Sequence, residues 1–442
     1  MCRMTGRRWP RLTFNIGLRY DFDNPPNDKN GHGGLFSVAS NTVIPGTWKT
    51  NYNDWAPRFG FSYQADDRTV VRGGYGIYYA PILYNNLQFE LLYSPNFVNQ
   101  SYSLNIGAPL DIQHLFVANP SLAGQQSYTL TKTLKDTSVQ DWNVNIERSL
   151  SNNTLLTLGY IGNVTRHQSA RADLNQPYGF TAGNTNGIRD LKPNPIVGPT
   201  DGQLNAISAN YNALAVKLER TYTNGLQFLG AYTYSKAMDI LDGDNSDIQN
   251  LYNPGLTYGP AGFDRTHNFI FSGVYELPFG PGKKFLNSNN LLNREIIGGW
   301  QLSGIQLFST GQPIQITANN NADTSSVHSV YANRICTGNA PAGHPRLQFF
   351  DPSCYVQPAT GQYGTARSGP RLPGIDTTNI SLQKAFAITE RQQLQFRAEA
   401  FSVFNHPNLA TGSTSITNSA AGLLTTEPVG QRVLQLALRY AF

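Results

Sequence analysis

Four aspartates in one short segment are the strongest candidates for chemistry in the chain. They are Asp239, Asp242, Asp244 and Asp247. Calcium binds several hard oxygen ligands, and carboxylates brought together by one loop can supply them. The spacing does not match the EF-hand pattern, which favours a solvated acidic loop and leaves calcium as the alternative. The segment is therefore a candidate calcium site in an outer loop.

The other reactive residue types form no catalytic pattern. The seven histidines are spread over the sequence, at His32, His114, His167, His267, His328, His344 and His406. None has the spacing of a metal site. The run Gly73-Gly74-Tyr75-Gly76 suggests a phosphate-binding loop, but it lies inside a predicted strand and no helix follows. We therefore expect no enzymatic activity and no cofactor.

The three cysteines predict one disulfide. Cys336 and Cys354 lie in one segment rich in Pro and Gly and have no neighbouring His ligands, whereas Cys2 is distant in sequence. This arrangement favours a loop disulfide over a metal pair. Free thiols are the other alternative.

Alternation of apolar and polar residues predicts an all-β fold, because successive side chains of a strand point to opposite faces. About twelve strands are predicted, at Leu12–Phe22, Trp55–Gln64, Thr69–Tyr79, Gln140–Leu150, Thr154–Gly162, Asn212–Arg220, Leu226–Ser235, His267–Leu277, Trp300–Thr317, Thr378–Phe386, Leu394–Phe404 and Arg432–Phe442. Short turns and long loops alternate between them, which is typical of outer-membrane barrels. The apolar pattern changes phase at Ser303-Gly304 and near Ala400, which predicts a β-bulge at each place.

The last strand has one face suited to lipid and one suited to water. Leu434, Leu436, Leu438, Tyr440 and Phe442 share the apolar face. Aromatic residues at a strand end would lie in the aromatic girdle of a membrane barrel. These five residues are the candidate insertion signal through which the barrel-assembly machinery would engage the chain. A half-buried edge strand of a soluble sandwich is the alternative.

The composition is compatible with such a barrel. Only 14% of the 442 residues are charged, against about 25% in typical soluble domains, and 12% are aromatic. No apolar run is long enough for a spanning helix. The net charge of +5 is small and scattered, so we expect no nucleic-acid partner. The first ten residues carry three arginines but no apolar core, so no secretory signal peptide is expected in this sequence.

Six blocks of sequence carry a resemblance to a known family. They are Arg11–Tyr20, Ala56–Phe61, Val71–Tyr79, Phe263–Asn268 (Phe-Asp-Arg-Thr-His-Asn), Tyr275–Gly280 (Tyr-Glu-Leu-Pro-Phe-Gly) and Phe396–Pro407. In this order they resemble the barrel of Oar-like TonB-dependent outer-membrane receptors. The resemblance covers nearly the whole chain from Leu12 to Phe442.

The resemblance implies an antiparallel transmembrane β-barrel in the cell outer membrane of a Gram-negative bacterium, in contact with outer-membrane lipid. The full barrel would have about 22 strands. Residues 11–442 would be its second half with long extracellular loops, and residues 1–10 a truncated start where an earlier strand should be. The family's signal peptide, carboxypeptidase-regulatory-like domain, TonB-contacting segment and plug have no counterpart here. The plug and TonB would be partners of the intact parent.

The predicted function is that of a receptor or transporter barrel that takes up or binds a large ligand through its loops. The loops Tyr79–Tyr102 and Leu174–Asn212 are the expected contact regions, because they are rich in aromatic residues and in Asn, respectively. Charged residues facing the lumen, among them Arg72, Glu147 and Arg439, are expected to contact the plug or one another.

Two alternatives stay open. A self-contained 12-stranded outer-membrane pore requires Leu12–Phe22 to pair with Leu434–Phe442 and close the sheet. A secreted β-rich binding protein requires polar residues on both outer faces.

Overall fold

The chain folds as an all-β protein, as the sequence predicts. The computed structural model describes residues 2–9, 11–24, 34–45, 49–82, 127–242, 247–320, 330–340, 343, 347–429 and 431–442. Strands account for 56% of the structure, and there is almost no helix. No helix within these ranges is long and apolar enough to cross a membrane.

Thirteen strands follow one another in a single antiparallel sheet whose order is the chain order. They are β1 (Cys2–Trp9), β2 (Leu12–Tyr20), β3 (Trp55–Asp66), β4 (Thr69–Ala80), β5 (Thr137–Ser151), β6 (Thr154–Asp173), β7 (Thr200–Thr223), β8 (Leu226–Asp239), β9 (His267–Glu276), β10 (Trp300–Ser309), β11 (Ile375–Ala387), β12 (Gln393–Phe401) and β13 (Val433–Ala441). Two further short strands join this sheet, Ser127–Leu130 beside β7 and Gly259–Pro260 beside β8.

The connections contain small additional elements. Four two-stranded ladders pair Gly34–Ser37 with Thr42–Pro45, Thr317–Ala318 with Val330–Tyr331, Asn333–Arg334 with Tyr355–Val356, and Asn408–Thr411 with Leu424–Val429. Two 3-10 turns span Pro254–Thr257 and Pro352–Cys354, and one π-helical turn spans Leu292–Ile297.

A strand at Cys2–Trp9 occupies the place where an earlier strand was expected, and it adds one strand to the predicted twelve. Its pairing with β2 runs from Cys2 opposite Leu18 to Trp9 opposite Leu12. The segment has no clear apolar alternation, so its backbone pairing with β2 was not evident from the sequence.

The two predicted bulges are wrong. β10 pairs without a register shift with both β9 and β11, so Ser303 and Gly304 lie in regular strand. β12 is likewise regular through Ala400 and ends at Phe401, because Ser402 has a positive φ of 47° and turns the chain. A real irregularity lies at Ile207 in β7, where the register with β6 shifts on both sides.

The pairing of Leu12–Phe22 with Leu434–Phe442, which the 12-stranded pore requires, does not occur, so this prediction is also wrong. β2 is bonded on one edge to β1 and on the other to β3, so it has no edge left for the terminal strand. Among the described strands, β13 pairs with β12 alone. The two outermost strands of the sheet are therefore β1 and β13.

The sheet has two unlike ends. Short connections at 67–68, 152–153, 224–225 and 388–392, together with the longer segment 277–299, lie at one end, which we call the turn side. Long connections lie at the other end, the loop side, and the buried apolar clusters belong mostly to it. One cluster includes Ile316, Val330 and Phe350, and a second includes Ile207 and Ile248. The packed core of this chain therefore lies among its loops.

Candidate functional site

The strand register divides the sheet into an apolar outer face and a more polar inner face. The outer face is the one that carries the side chains of Leu436 and Leu438. The side chains of Leu434, Leu436, Leu438 and Tyr440 in β13, and of Phe442 directly after it, are between 50% and 94% exposed. Paired residues in antiparallel strands share a face, so the apolar surface continues across the sheet, for example from Leu438 to Phe396. A secreted protein with two polar faces does not have this surface, so that alternative is wrong.

The inner face carries ion pairs. Arg72 lies 3.4 Å from Glu147, Lys217 lies 3.2 Å from Glu219, and Arg397 lies 3.5 Å from Glu399. These side chains are partly exposed, so each pair contributes little to stability, at most about 1 kcal/mol. Among the charges that were expected to contact a plug or one another, these six contact one another, whereas Arg439 is in none of these pairs.

The inner face also has an apolar depression of about 570 Å³. Ile305 lies opposite Ser272 and Asn379, on the same face as Glu219 and Leu229. The change of phase in β10 therefore arises because Ile305 and Leu307 face inwards, whereas Trp300 and Leu302 face outwards. The depression offers an apolar surface inside an otherwise polar wall.

The block Phe263–Asn268 fastens two loops together on the loop side. The Asp264 carboxylate accepts a hydrogen bond from the Ala237 backbone N–H at 2.6 Å and forms an ion pair with Arg371. Arg371 also donates to the Asp264 and Gly311 carbonyl oxygens, each at 3.1 Å. Arg265 donates to the Thr310 carbonyl at 3.0 Å. This motif therefore joins the β8–β9 loop to the β10–β11 loop.

Two of the candidate calcium ligands belong to a neighbouring ion-pair network. Arg367, whose side chain is only 2% exposed, pairs with Asp239 and lies 3.4 Å from Asp242. Gln315 donates to Asp242 at 2.6 Å. Burial raises the pKa of Tyr331, which lies against Arg367.

The other two candidates are placed differently. Asp247 pairs with Arg171 at 3.1 Å, and Asp244 lies outside the described residues. No group of three or more His, Cys, Asp or Glu side chains in the described ranges could hold a metal ion. The described aspartates are held by arginines, and the calcium site stays a prediction.

The longest described loop, between β10 and β11, has its own packed centre. Cys336 and Cys354 form a disulfide with Cα atoms 5.0 Å apart. Cys354 and Tyr355 are buried with Phe350, whose ring meets that of Tyr355 edge to face at 5.7 Å. The disulfide and this cluster tie together described parts of a long, polar segment on the loop side.

An aromatic surface lies within the predicted contact loop Leu174–Asn212 and its neighbours. The rings of Tyr178 and Tyr252 meet edge to face at 6.2 Å, and about half of each side chain is exposed. The Arg189 guanidinium lies 5.4 Å from the centroid of the Tyr363 ring. Exposed rings beside a guanidinium can stack on planar or apolar ligand groups. Most of the other predicted contact loop, Tyr79–Tyr102, lies outside the described residues.

A pair of buried carboxyl groups lies at the loop-side ends of β3 and β5. Asp54 and Asp136 are both buried, and their side chains are hydrogen bonded to each other. Burial, together with Asp54, raises the pKa of Asp136 to about 7. Burial also raises the pKa of Asp54. The pair therefore holds one proton near neutral pH, and it titrates as a unit.

Sequence reasoning missed the residues that hold the loop side together. Asp264 lies in a recognised block, and that was the one available signal. Arg367 and Arg371 lie in an irregular Gly- and Pro-containing segment, where no periodicity shows that a side chain is buried.

An antiparallel sheet with an apolar outer face, short turns at one end and structured loops at the other defines the wall of a transmembrane β-barrel. The family described as outer membrane beta barrel domain matches residues 7–435. The chain belongs to this family.

One of the solved structures that resemble this chain has a TM-score above 0.5 and shares its fold. The outer membrane transporter YddB from Escherichia coli is 10% identical with a TM-score of 0.52, and the alignment covers 98% of this chain and 43% of that one. The siderophore receptor PiuA from Acinetobacter baumannii is 10% identical (TM-score 0.46; 98% and 41% covered). A variant of the ferric enterobactin receptor PfeA from Pseudomonas aeruginosa is 12% identical (TM-score 0.48; 99% and 44% covered). This chain thus spans less than half the length of these proteins. No curated protein sequence matches it.

Proposed function

We propose that this chain forms part of the barrel wall and the extracellular loops of an Oar-like TonB-dependent receptor in the outer membrane of a Gram-negative bacterium. The observation that carries the proposal is the sheet of thirteen strands, in which the outermost strands β1 and β13 do not pair with each other. The alignment with a transporter covers 98% of this chain but only 43% of the transporter. An open sheet leaves two strand edges unpaired, and a barrel in lipid needs both edges satisfied. The remaining strands would come from the rest of the parent receptor.

In this proposal the loop side is extracellular and the turn side is periplasmic, following the general rule for outer-membrane barrels. The loop side would bind a large ligand, such as a polymer or peptide, through the aromatic surface around Tyr178 and Tyr252. The network of Asp264, Arg367 and Arg371 would keep that surface in place. The ordering of these loops before binding lowers the entropy cost of binding.

The inner face would contact the plug of the intact parent. The depression around Ile305 would receive apolar plug residues, and the ion-paired charges beside it would contact polar ones. Transport would require the plug and TonB, so this chain alone would bind ligand without transporting it.

Refolding in detergent tests the wall proposal. We expect the purified chain to be β-rich by circular dichroism but to migrate at the same position on a gel with and without heating, because its edges stay open. A heat-modifiable monomer that forms steady conductance in planar bilayers would instead identify an independent pore, closed by pairing between β1 and β13.

Binding to an array of glycans and peptides tests the receptor role. The double variant Tyr178→Ala, Tyr252→Ala should no longer bind the array ligands that the unmodified chain binds. Tyr234→Ala is the matched control, because Tyr234 is equally exposed but lies on the outer face. Equal loss in the control would contradict the assignment of the binding surface.

A further inference from the structure

One turn-side connection is much longer than the rest and has a structure of its own. Residues 277–299, here called the anchor segment, join β9 to β10, whereas the other turn-side connections are two to five residues long. The segment contains the π-helical turn Leu292–Ile297. Asn293 is buried, and its backbone N–H is bonded to the Asn290 side chain at 2.8 Å. A Cβ added at Gly280 would lie 2.6 Å from the Cα of Gly298, so the two arms of the segment are in contact.

The register of β11 shows on which face the anchor segment lies. Lys384 pairs with Trp300 on one side and with Phe396 on the other, and Phe396 in turn pairs with Leu438. Lys384 therefore has its side chain on the apolar outer face. A lysine at such a position is costly in lipid unless its charge is covered.

The anchor segment covers that charge. The Lys384 side chain is on the outer face, yet the residue is only 3% exposed. Its ammonium group donates to the Glu295 carbonyl at 2.6 Å and to the Gly298 carbonyl, at the end of the helical turn. The Trp300 indole N–H donates to the Ile296 carbonyl at 2.8 Å. These contacts fix the segment against the outer wall, beside the lipid-facing residues.

The exposed surface of the segment includes large apolar side chains as well as the polar run 287–290. Leu291 is 71% exposed, Ile296 is 62% exposed, and Leu292 is more than half exposed. Phe285 and Leu286 add further exposed apolar area. These side chains belong to a segment that the Lys384 and Trp300 contacts hold on the same side of the sheet as the apolar outer face.

The segment is also basic. Lys283, Lys284 and Arg294 are set against the single acidic residue Glu295. Lys283 forms an ion pair with Glu276 at 2.8 Å, and Arg294 forms one with Glu295 at 2.7 Å. The side chains of Lys283 and Arg294 stay 39% and 56% exposed, so both remain accessible to an anionic headgroup. The Lys284 ammonium lies 5.4 Å from the centroid of the Phe285 ring. Anionic phospholipids attract an apolar surface bordered by such cations, because their headgroups attract lysine and arginine and their acyl chains accommodate apolar side chains.

We propose that residues 277–299 form an interfacial anchor that binds anionic phospholipid in the periplasmic leaflet. Leu291, Leu292 and Ile296 insert at the level where headgroups meet acyl chains, and Lys283, Lys284 and Arg294 contact the phosphates. The occupant is lipid because the segment lies on the outer face and carries a positive charge. This inference requires the membrane wall and the turn-side orientation, but it does not depend on the ligand or on TonB.

The test attaches a bimane label to a cysteine introduced by Leu292→Cys in the full chain. Cys2→Ser removes the competing thiol, and the Cys336–Cys354 disulfide is kept oxidised. The labelled protein is reconstituted in phosphatidylcholine vesicles with or without phosphatidylglycerol. Quenching by lipids that are spin-labelled near the headgroup is compared with quenching by aqueous iodide. Reference labels are placed at Leu302→Cys, on the outer face of β10, and at Asp67→Cys, in a two-residue turn.

We expect lipid quenchers to act several-fold more strongly on the label at 292 than on the label at 67, with the reverse order for iodide. Phosphatidylglycerol should increase lipid quenching at 292. Replacing the three cations, Lys283→Gln, Lys284→Gln and Arg294→Gln, should remove that increase and leave the label at 302 unchanged.

Three results would overturn the anchor. If iodide quenches the label at 292 as strongly as the label at 67 while the label at 302 is in lipid, the segment faces water. Protection of 292 from both quenchers would mean that protein, either a plug or a second copy, covers it. A label at 302 that lipid quenchers do not reach would refute the membrane wall itself, which is a failure of the proposed function.

Discussion

Removal of the Asp264 carboxylate should loosen the loop side locally. Asp264 has a side chain that is 1% exposed, accepts the Ala237 N–H at 2.6 Å and pairs with Arg371. Loss of a hydrogen bond to a charged group costs about 1.5–3 kcal/mol. The ion pair adds less, because the Arg371 side chain is 35% exposed and keeps its two carbonyl contacts at 3.1 Å. We therefore expect Asp264→Ala to lower the local stability by about 3 kcal/mol.

Hydrogen exchange followed by mass spectrometry measures this loss where it occurs. Each 1.4 kcal/mol is a factor of ten, so amides in 235–238 and 261–268 should exchange about 100-fold faster in Asp264→Ala. Asp264→Asn should have a smaller effect, because an amide oxygen can still accept from Ala237. Asp67→Ala, at an exposed turn, is the control and should change nothing. Unchanged exchange in both segments of Asp264→Ala would refute the role assigned to the motif.

Three other predictions concern the loops and the wall. Cys354→Ser should destabilise the β10–β11 loop by about 3 kcal/mol, measured as faster exchange around residue 350; exchange equal to that of the oxidised parent would contradict the stabilising role of the disulfide. Because the pKa of Asp136 is raised from 3.8 to about 7, the loop ends around Asp54 should be most stable below about pH 4 and become less stable as pH rises towards 7. Asp136→Asn should weaken that dependence in exchange measured across this range and leave only the part that comes from Asp54, whose pKa burial also raises. A dependence as strong as in the unmodified chain would place the proton elsewhere. Leu436→Arg should cost about 2–4 kcal/mol in membrane assembly, whereas Gln435→Arg should cost little; equal yields of the two variants in the outer-membrane fraction would show that the outer face does not meet lipid.

The strands of the wall were predictable because each one alternates between two environments. All twelve predicted strands occur, and pairs such as Leu394 with Tyr440 keep the apolar residues on one face. Sequence alternation does not show the facing of a strand whose apolar residues lie on both faces. Ile305 and Leu307 are apolar but face inwards, and the sequence pattern alone could not distinguish this from a bulge.

The loop side was much less predictable. Its residues are held by contacts between segments far apart in sequence, such as Arg371 with Asp264 and Gln249 with Gly364. No local spacing encodes such contacts. In the acidic segment, for example, the sequence did not indicate that Asp239 and Asp242 each contact the buried Arg367.

Lys384 is the clearest case of a misleading pattern. In sequence it interrupts the apolar face of a strand, which usually argues against lipid exposure. In the structure the anchor segment covers it, and three backbone carbonyls accept its hydrogen bonds. Lys384 and the anchor segment are far apart in sequence, and the pairing of β10 with β11 brings them together.

Accessibility along β13 in a membrane tests the central claim most directly. Single cysteines are placed at each position from 434 to 441 in the Cys2→Ser chain, and their reaction with a water-soluble maleimide is compared with their quenching by lipid-attached spin labels. We expect an alternation with a period of two, in which 434, 436, 438 and 440 are in lipid and 435, 437, 439 and 441 react from water. Uniform reactivity at all eight positions would contradict a membrane-spanning wall.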